Sequence, residues 1–150
     1  MKLTEHFTLE ELTVTSQKDP RTGKRFENKP DEWQLRNLKK LAKDYLEPVR
    51  EIVGRPIVIN SGFRTAEVNK VVGGSPTSAH LTGCAADIRC MGVMEASQIV
   101  EAVQRNFEQN GHAYDELYLS RRRRTCSIWV HLSFKPEVFA NRLRRKVIDY

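Results

Sequence analysis

The sequence predicts an α+β fold on three observations. Long stretches carry apolar residues at helical spacing, short apolar runs of strand type lie between them, and no strand–helix–strand unit recurs as a parallel sheet would require. A chain of 150 residues, 39% of them hydrophobic, buries about 68–70% of its unfolded surface, which is enough for one core. We therefore expect residues 1–150 to form a single domain.

Thr8-Leu9-Glu10-Glu11 reads as a capping box opening a short helical turn, with Thr8 as N-cap and Glu11 reaching back to it. Residues 16–31 are rich in Pro, Gly and charge and read as loop. Pro30-Asp31-Glu32 opens a long helix, with Trp33, Leu38, Leu41, Ala42, Tyr45, Leu46, Val49, Ile52 and Val53 at helical spacing up to Gly54. Pro48 is expected to kink it. Pro56 to Asn60 is a strand, Thr65 to Val72 a helix stopped by Gly73-Gly74, and Ala85 to Cys90 a second strand. Glu95 to Glu108 is an amphipathic helix with Ile99, Val103 and Phe107 on one side. Leu117–Leu119 and Ile128–Leu132 pair as a hairpin across the arginine run, and the tail from Pro136 is expected to be a partial helix.

Mean hydropathy is −0.55, and no run reaches the roughly 18 apolar residues of a membrane-spanning helix, so no membrane insertion is expected. Leu, Val, Ile and aromatic residues recur along the whole chain, which argues against disorder. Residues 1–6 lead into no apolar stretch, so a signal peptide is not expected. Synthesis in the cytoplasm is then implied. Twenty-five Lys and Arg against 19 Asp and Glu give +6. The excess gathers late, in Arg121–Arg124 and in Arg142, Arg144, Arg145 and Lys146. Such a face suits an anionic partner, although a solvated, solubilising surface is the commoner meaning of this pattern. The run sits in a turn without several stacking aromatics, so nucleic acid is not the expected partner. The three cysteines, Cys84, Cys90 and Cys126, form no CxxC pair and read as small buried residues in a reducing compartment.

The chemistry concentrates in Ser78-Ala79-His80-Leu81-Thr82-Gly83-Cys84-Ala85-Ala86-Asp87. This segment places a histidine in a loop and an aspartate on the next strand, with small residues between them that allow close approach. Imidazole and carboxylate suit zinc, and a catalytic zinc site takes three protein ligands. The later histidines are His112, in a loop, and His131, mid-strand. If Val130 and Leu132 face the core, His131 faces a groove. Singly, a strand histidine is most often a hydrogen-bonded structural residue, and Asp87 a cap or ion-pair partner. The constellation is what points to metal.

These residues resemble a known family. Ser-x-His-x-x-Gly-x-Ala-x-Asp followed far downstream by Trp129-Val130-His131 is similar to the zinc D-alanyl-D-alanine carboxypeptidases and L-alanoyl-D-glutamate endopeptidases, murein peptidases whose small phage-type members have this length. Upstream, Asn60-Ser61-Gly62-Phe63-Arg64-Thr65 resembles the family's Ser-Gly-Tyr/Phe-Arg segment. The resemblance implies a central antiparallel sheet of about four strands with flanking helices and zinc in a surface groove. It further implies zinc ligands His80, Asp87 and His131. Arg64 would polarise the scissile carbonyl, and Ser78 would hold the substrate or the ligand loop. The alternative reading of Arg64 is a surface ion pair with Glu67.

One position departs from the pattern. The family usually carries Asp or Glu three residues before the last histidine, and here that residue is Ile128. Pairing Leu117 with Val130 keeps the apolar faces together and sets Glu116 opposite His131 on the groove face. Glu116 is thus the expected general base, with Asp115 behind it. Tyr118 and Trp129 share that face, packing as a cross-strand pair with one edge open to substrate. The implied activity is hydrolysis of a stem-peptide bond in peptidoglycan, of D,D-carboxypeptidase or L,D-endopeptidase type. Ile128 motivates an alternative, a zinc-containing cell-wall-binding or virion module with little or no activity. A monomer acting at the cell wall after lysis or virion-associated release is expected.

Overall fold

A computed structural model of the chain describes residues 1–137 and 141–149. The N-terminal turn is α1 (Leu9–Thr13), and both halves of the Thr8/Glu11 capping box are formed. The next helix starts as α2 (Glu32–Lys40) with a second capping box, Asp31 accepting from the Gln34 N–H. It widens into a π-helical stretch, Leu41–Leu46, and resumes as α3 (Glu47–Val53). The wide turn has a cause in the sequence. Pro48 has no N–H to give the Asp44 carbonyl, and that carbonyl is instead bonded by His112 Nε2 at 2.7 Å. The expected kink at Pro48 is thus a π-turn just before it.

β1 (Ile59–Ser61) leads to α4 (Ala66–Val71), capped by Thr65, and then to a 3-10 turn at Ala79–Thr82. β2 (Ala85–Cys90), α5 (Val93–Gln109), β3 (Glu116–Arg122), β4 (Ser127–Ser133) and β5 (Arg144–Asp149) follow. The strands form one five-stranded sheet in the order β1-β2-β4-β3-β5. Strands β1 to β4 pair antiparallel with one another, as expected, with helices packed on the sheet.

Two expectations about the C-terminal third are corrected. The tail from Pro136 was expected to be a partial helix, yet β5 lies parallel to β3. It is drawn there by the open edge of β3: Leu143 and Arg144 donate backbone N–H groups to the carbonyls of Tyr114 and Asp115. Residues 138–140 of that tail lie outside the described residues. The hairpin register also differs, with Leu117 opposite Leu132 rather than Val130. Pairing continues through Arg121 and Arg122, leaving Arg123–Cys126 as the turn. Cys126 adopts φ 56° there and is exposed, unlike the buried Cys84 and Cys90.

The core fills the helix-facing side of the sheet. Ala86, Ile88, Leu117, Leu119, Val130 and Leu132 point into it and meet Val103 and Phe107 of α5 and Leu38, Leu41, Tyr45 and Val49 of the long helix. Tyr45 stacks on Phe134 with ring centroids 4.8 Å apart. Each Leu, Ile, Val or Phe side chain among them stabilises the fold by about 1.5–3 kcal/mol on full burial. With the odd-numbered residues of β4 turned away from this core, Trp129, His131 and Ser133 stand on the opposite face.

Candidate metal centre

That opposite face is the floor of a groove of about 1290 Å³. Three segments bring the candidate ligands to it. Ser78 Oγ accepts the His80 N–H at 3.3 Å and starts the 3-10 turn that carries His80. Asp87 stands in the middle of β2, directly opposite His131 of β4. One ligand atom from each of His80, Asp87 and His131 lies within 4.8 Å of the others.

The atoms are ordered as well as close. His80 Nδ1 bonds the Gly62 carbonyl at 2.6 Å, so Nδ1 carries the proton and Nε2 keeps its lone pair. Nε2 lies 3.3 Å from Asp87 Oδ1, and His131 Nδ1 lies 2.9 Å from the same oxygen. His131 Nε2 faces Glu116 Oε1 at 3.4 Å. Two imidazole nitrogens and one carboxylate oxygen thus converge, each ring with a bonding partner on its far nitrogen. That is the donor set and outer shell of a zinc site, so these residues fit the metal that the sequence implies.

The charges follow from the packing. Burial pushes the His80 pKa down and keeps that ring neutral. Burial works against the charged form of Asp87, but His80 and His131 outweigh it and hold its carboxyl well below the usual range. Burial likewise opposes the charge on His131, and the hydrogen bonds its ring donates to Asp87 and Glu116 override it, raising the pKa to about 9. Glu116 is lowered to about 2, because His131, Tyr118 and Ser133 outweigh its own burial.

The remaining candidates divide. Arg64 reaches into the site: Nη2 lies 3.2 Å from Asp87 Oδ2, and Ser61 Oγ and Asn69 Oδ1 accept from the same guanidinium. Its ion-pair partner is therefore Asp87 and not Glu67. Glu116 faces the groove diagonally from His131, opposite Ser133. The register shift of two residues preserved its face. Its Oε1 accepts from Ser133 Oγ at 3.1 Å and its Oε2 from Arg144 Nη2 at 2.6 Å. Asp115 is not brought to the groove. It is buried, outside the groove lining, where Arg142 donates to it through Nε at 2.7 Å and Nη2 at 2.6 Å. Tyr118 stands opposite His131 and stacks on its ring, while Trp129 stands opposite Ser120, so the two aromatics line the groove without forming a direct cross-strand pair. Ile128 packs against the core. In a regular strand the third residue back from His131 faces away from it, so an acid at 128 would not reach this groove.

Sequence reasoning missed Asn69, Ser133 and Arg144. The first two have no motif of their own. Arg144 belonged to a basic tail read as solvated surface, and only the parallel pairing of β5 brings it to Glu116.

An α+β domain that gathers two imidazoles and a carboxylate at one point of a groove has the form of a mononuclear metallohydrolase. The Peptidase M15 family model matches residues 5–126. The chain belongs to that family, which contains the zinc D-Ala-D-Ala carboxypeptidases, as the motifs implied. M15 peptidases are zinc-dependent metallopeptidases. The match ends before β4, so His131 and β5 lie beyond it. No curated protein matches the chain.

Proposed function

We propose that the chain hydrolyses a peptide bond in peptidoglycan stem peptides, as a D,D-carboxypeptidase or an L,D-endopeptidase, using zinc. The observation that supports this best is the convergence of His80 Nε2, Asp87 Oδ1 and His131 Nδ1 in a groove that also presents Glu116 and Arg64. These three atoms would hold the ion. When bound, zinc supplies a Lewis acid and lowers the pKa of its water to about 7.

The chain's own residues then have separable tasks. After Asp87, Glu116 is the groove-face carboxylate nearest His131; it bonds the ring nitrogen that faces away from the ion and acts as base once that contact opens. It takes the proton of the attacking water and passes it to the leaving nitrogen as the C–N bond breaks, giving one carboxylate and one amine. The Arg64 N–H groups donate to the scissile carbonyl oxygen as negative charge grows there. Ser61 and Asn69 hold that guanidinium in place. Ser78 fixes the turn that carries His80. Tyr118 and Trp129 flank the extended substrate. Asp115 is committed to Arg142, and we assign it no part in proton transfer.

The test combines metal analysis with turnover. Zinc-replete chain should carry about one zinc, lost in His80→Ala, and should release new amines from purified peptidoglycan. Glu116→Gln should abolish release while zinc stays bound. Unchanged turnover in that variant discards Glu116 as base, and a chain that takes up no zinc defeats the proposal.

One observation favours a second reading, a zinc-bearing wall-binding module with little activity. Both Glu116 oxygens are already engaged, by His131, Ser133 and Arg144. Zinc occupancy with sacculus binding and no bond cleavage would establish that reading.

A further inference from the structure

The arginine run is not consumed by the site just described. Four arginines line the groove: Arg64, Arg122, Arg142 and Arg144. Three are committed to carboxylates, Arg64 to Asp87, Arg142 to Asp115 and Arg144 to Glu116. Arg122 differs. Among the described residues no carboxylate pairs with it, and its guanidinium lies over the Trp129 ring, 5.8 Å from the centroid.

The register explains the contact. Arg122 is opposite Ser127, so Trp129 is its diagonal neighbour on the same face, within reach of long side chains. Exposed and lying over the ring, the guanidinium can turn an N–H edge toward the groove. That edge is the part that binds a carboxylate with two parallel hydrogen bonds. Trp129 is two residues from His131 along β4, a step of about 6.7 Å. An extended peptide with its scissile bond at His131 would therefore bring the side chain of the second residue from that bond to Arg122.

We infer that Arg122, held by Trp129, is a carboxylate-binding subsite that selects substrates with an acidic side chain at the second residue from the cleaved bond. The inference rests on the peptidase reading for the direction of the groove, and it deepens that reading by naming a substrate class. That second residue is the third residue of the stem in both cases, on the amino side of the D-Ala-D-Ala bond and on the carboxyl side of the L-Ala-D-Glu bond, so the two bonds require opposite chain directions in the groove.

The test is direct binding to the zinc-loaded chain, by calorimetry, of two stem pentapeptides. One carries diaminopimelate with a free side-chain carboxylate at position three, and the other carries the same residue as its carboxamide. The free carboxylate should bind about tenfold more tightly, the size of one charge-assisted pair. Arg122→Ala should remove the difference, and Arg122→Glu should reverse it. Both variants should melt as the parent does, since Arg122 is exposed. A difference that survives in Arg122→Ala overturns the subsite. Turnover separates the two proposals. Selective binding without cleavage leaves the subsite standing and removes the peptidase reading. Equal binding and equal cleavage of both peptides does the reverse.

Discussion

At the residue scale, the candidate ligands are prepared unequally for a metal. His80 is neutral through burial and has its tautomer set by the Gly62 carbonyl, so it can bind without losing a proton. Asp87 is already ionised. His131 has a carboxylate at each ring nitrogen and a pKa raised to about 9. It is therefore charged at neutral pH and must give up one proton to coordinate. The raised pKa sets the sign: the proton is present below about pH 9, so metal competes with it there, and apparent affinity should climb roughly tenfold per pH unit between pH 6 and 8. Calorimetry at pH 6 in buffers of different ionisation enthalpy should show close to one proton released per zinc. A value near zero would mean that His131 is neutral before binding, and that its two carboxylate contacts do not set its charge.

At the element scale, the site depends on turns that admit little change. Gly83 ends the 3-10 turn at φ 76°, and a Cβ there would come within 2.7 Å of the Gln34 carbonyl oxygen in α2. Gly54 ends α3 at φ 77° with nothing within 4 Å of such a Cβ. The left-handed backbone costs an alanine about 1–2 kcal/mol at either position, so the excess at Gly83 isolates the clash. Gly83→Ala should lower the thermal midpoint clearly more than Gly54→Ala and should weaken zinc retention by displacing His80. Equal losses and unchanged zinc binding would show that the turn adjusts freely. Local signals made most of this layer readable beforehand. The capping box at Thr8, the helix opening at Pro30-Asp31-Glu32, the apolar run of β2 and the alternation around His131 each declare themselves within a few residues. The candidate cluster was legible because His80, Asp87 and their small neighbours lie in one motif, to which the family resemblance added His131. The hairpin register and β5 were not. Four arginines in a row carry no hydrophobic pattern to say where the strand stops. A parallel edge strand depends on the free edge of β3, which local sequence does not express.

At the scale of the whole molecule, the three candidate ligands come from segments that only the folded sheet unites. His80 lies on the turn packed against α2, Asp87 on β2, and His131 on β4 at the sheet's centre. A shared ion would tie the N-terminal helical layer to the hairpin, and the unfolded chain cannot hold these atoms together. Zinc must then favour the native state by RT ln(1 + [Zn]/Kd), about 2.7 kcal/mol at a hundredfold excess over Kd. At this chain length each kcal/mol moves the thermal midpoint by about 2–4 °C, so saturating zinc should raise it by roughly 5–10 °C and a chelator should reverse the change. Calcium should do far less, because it prefers six or more oxygen ligands over imidazole nitrogen. In His131→Ala the zinc-dependent rise should vanish. A midpoint indifferent to zinc in the parent chain would mean that the three side chains, close as they are, do not act as one binding site.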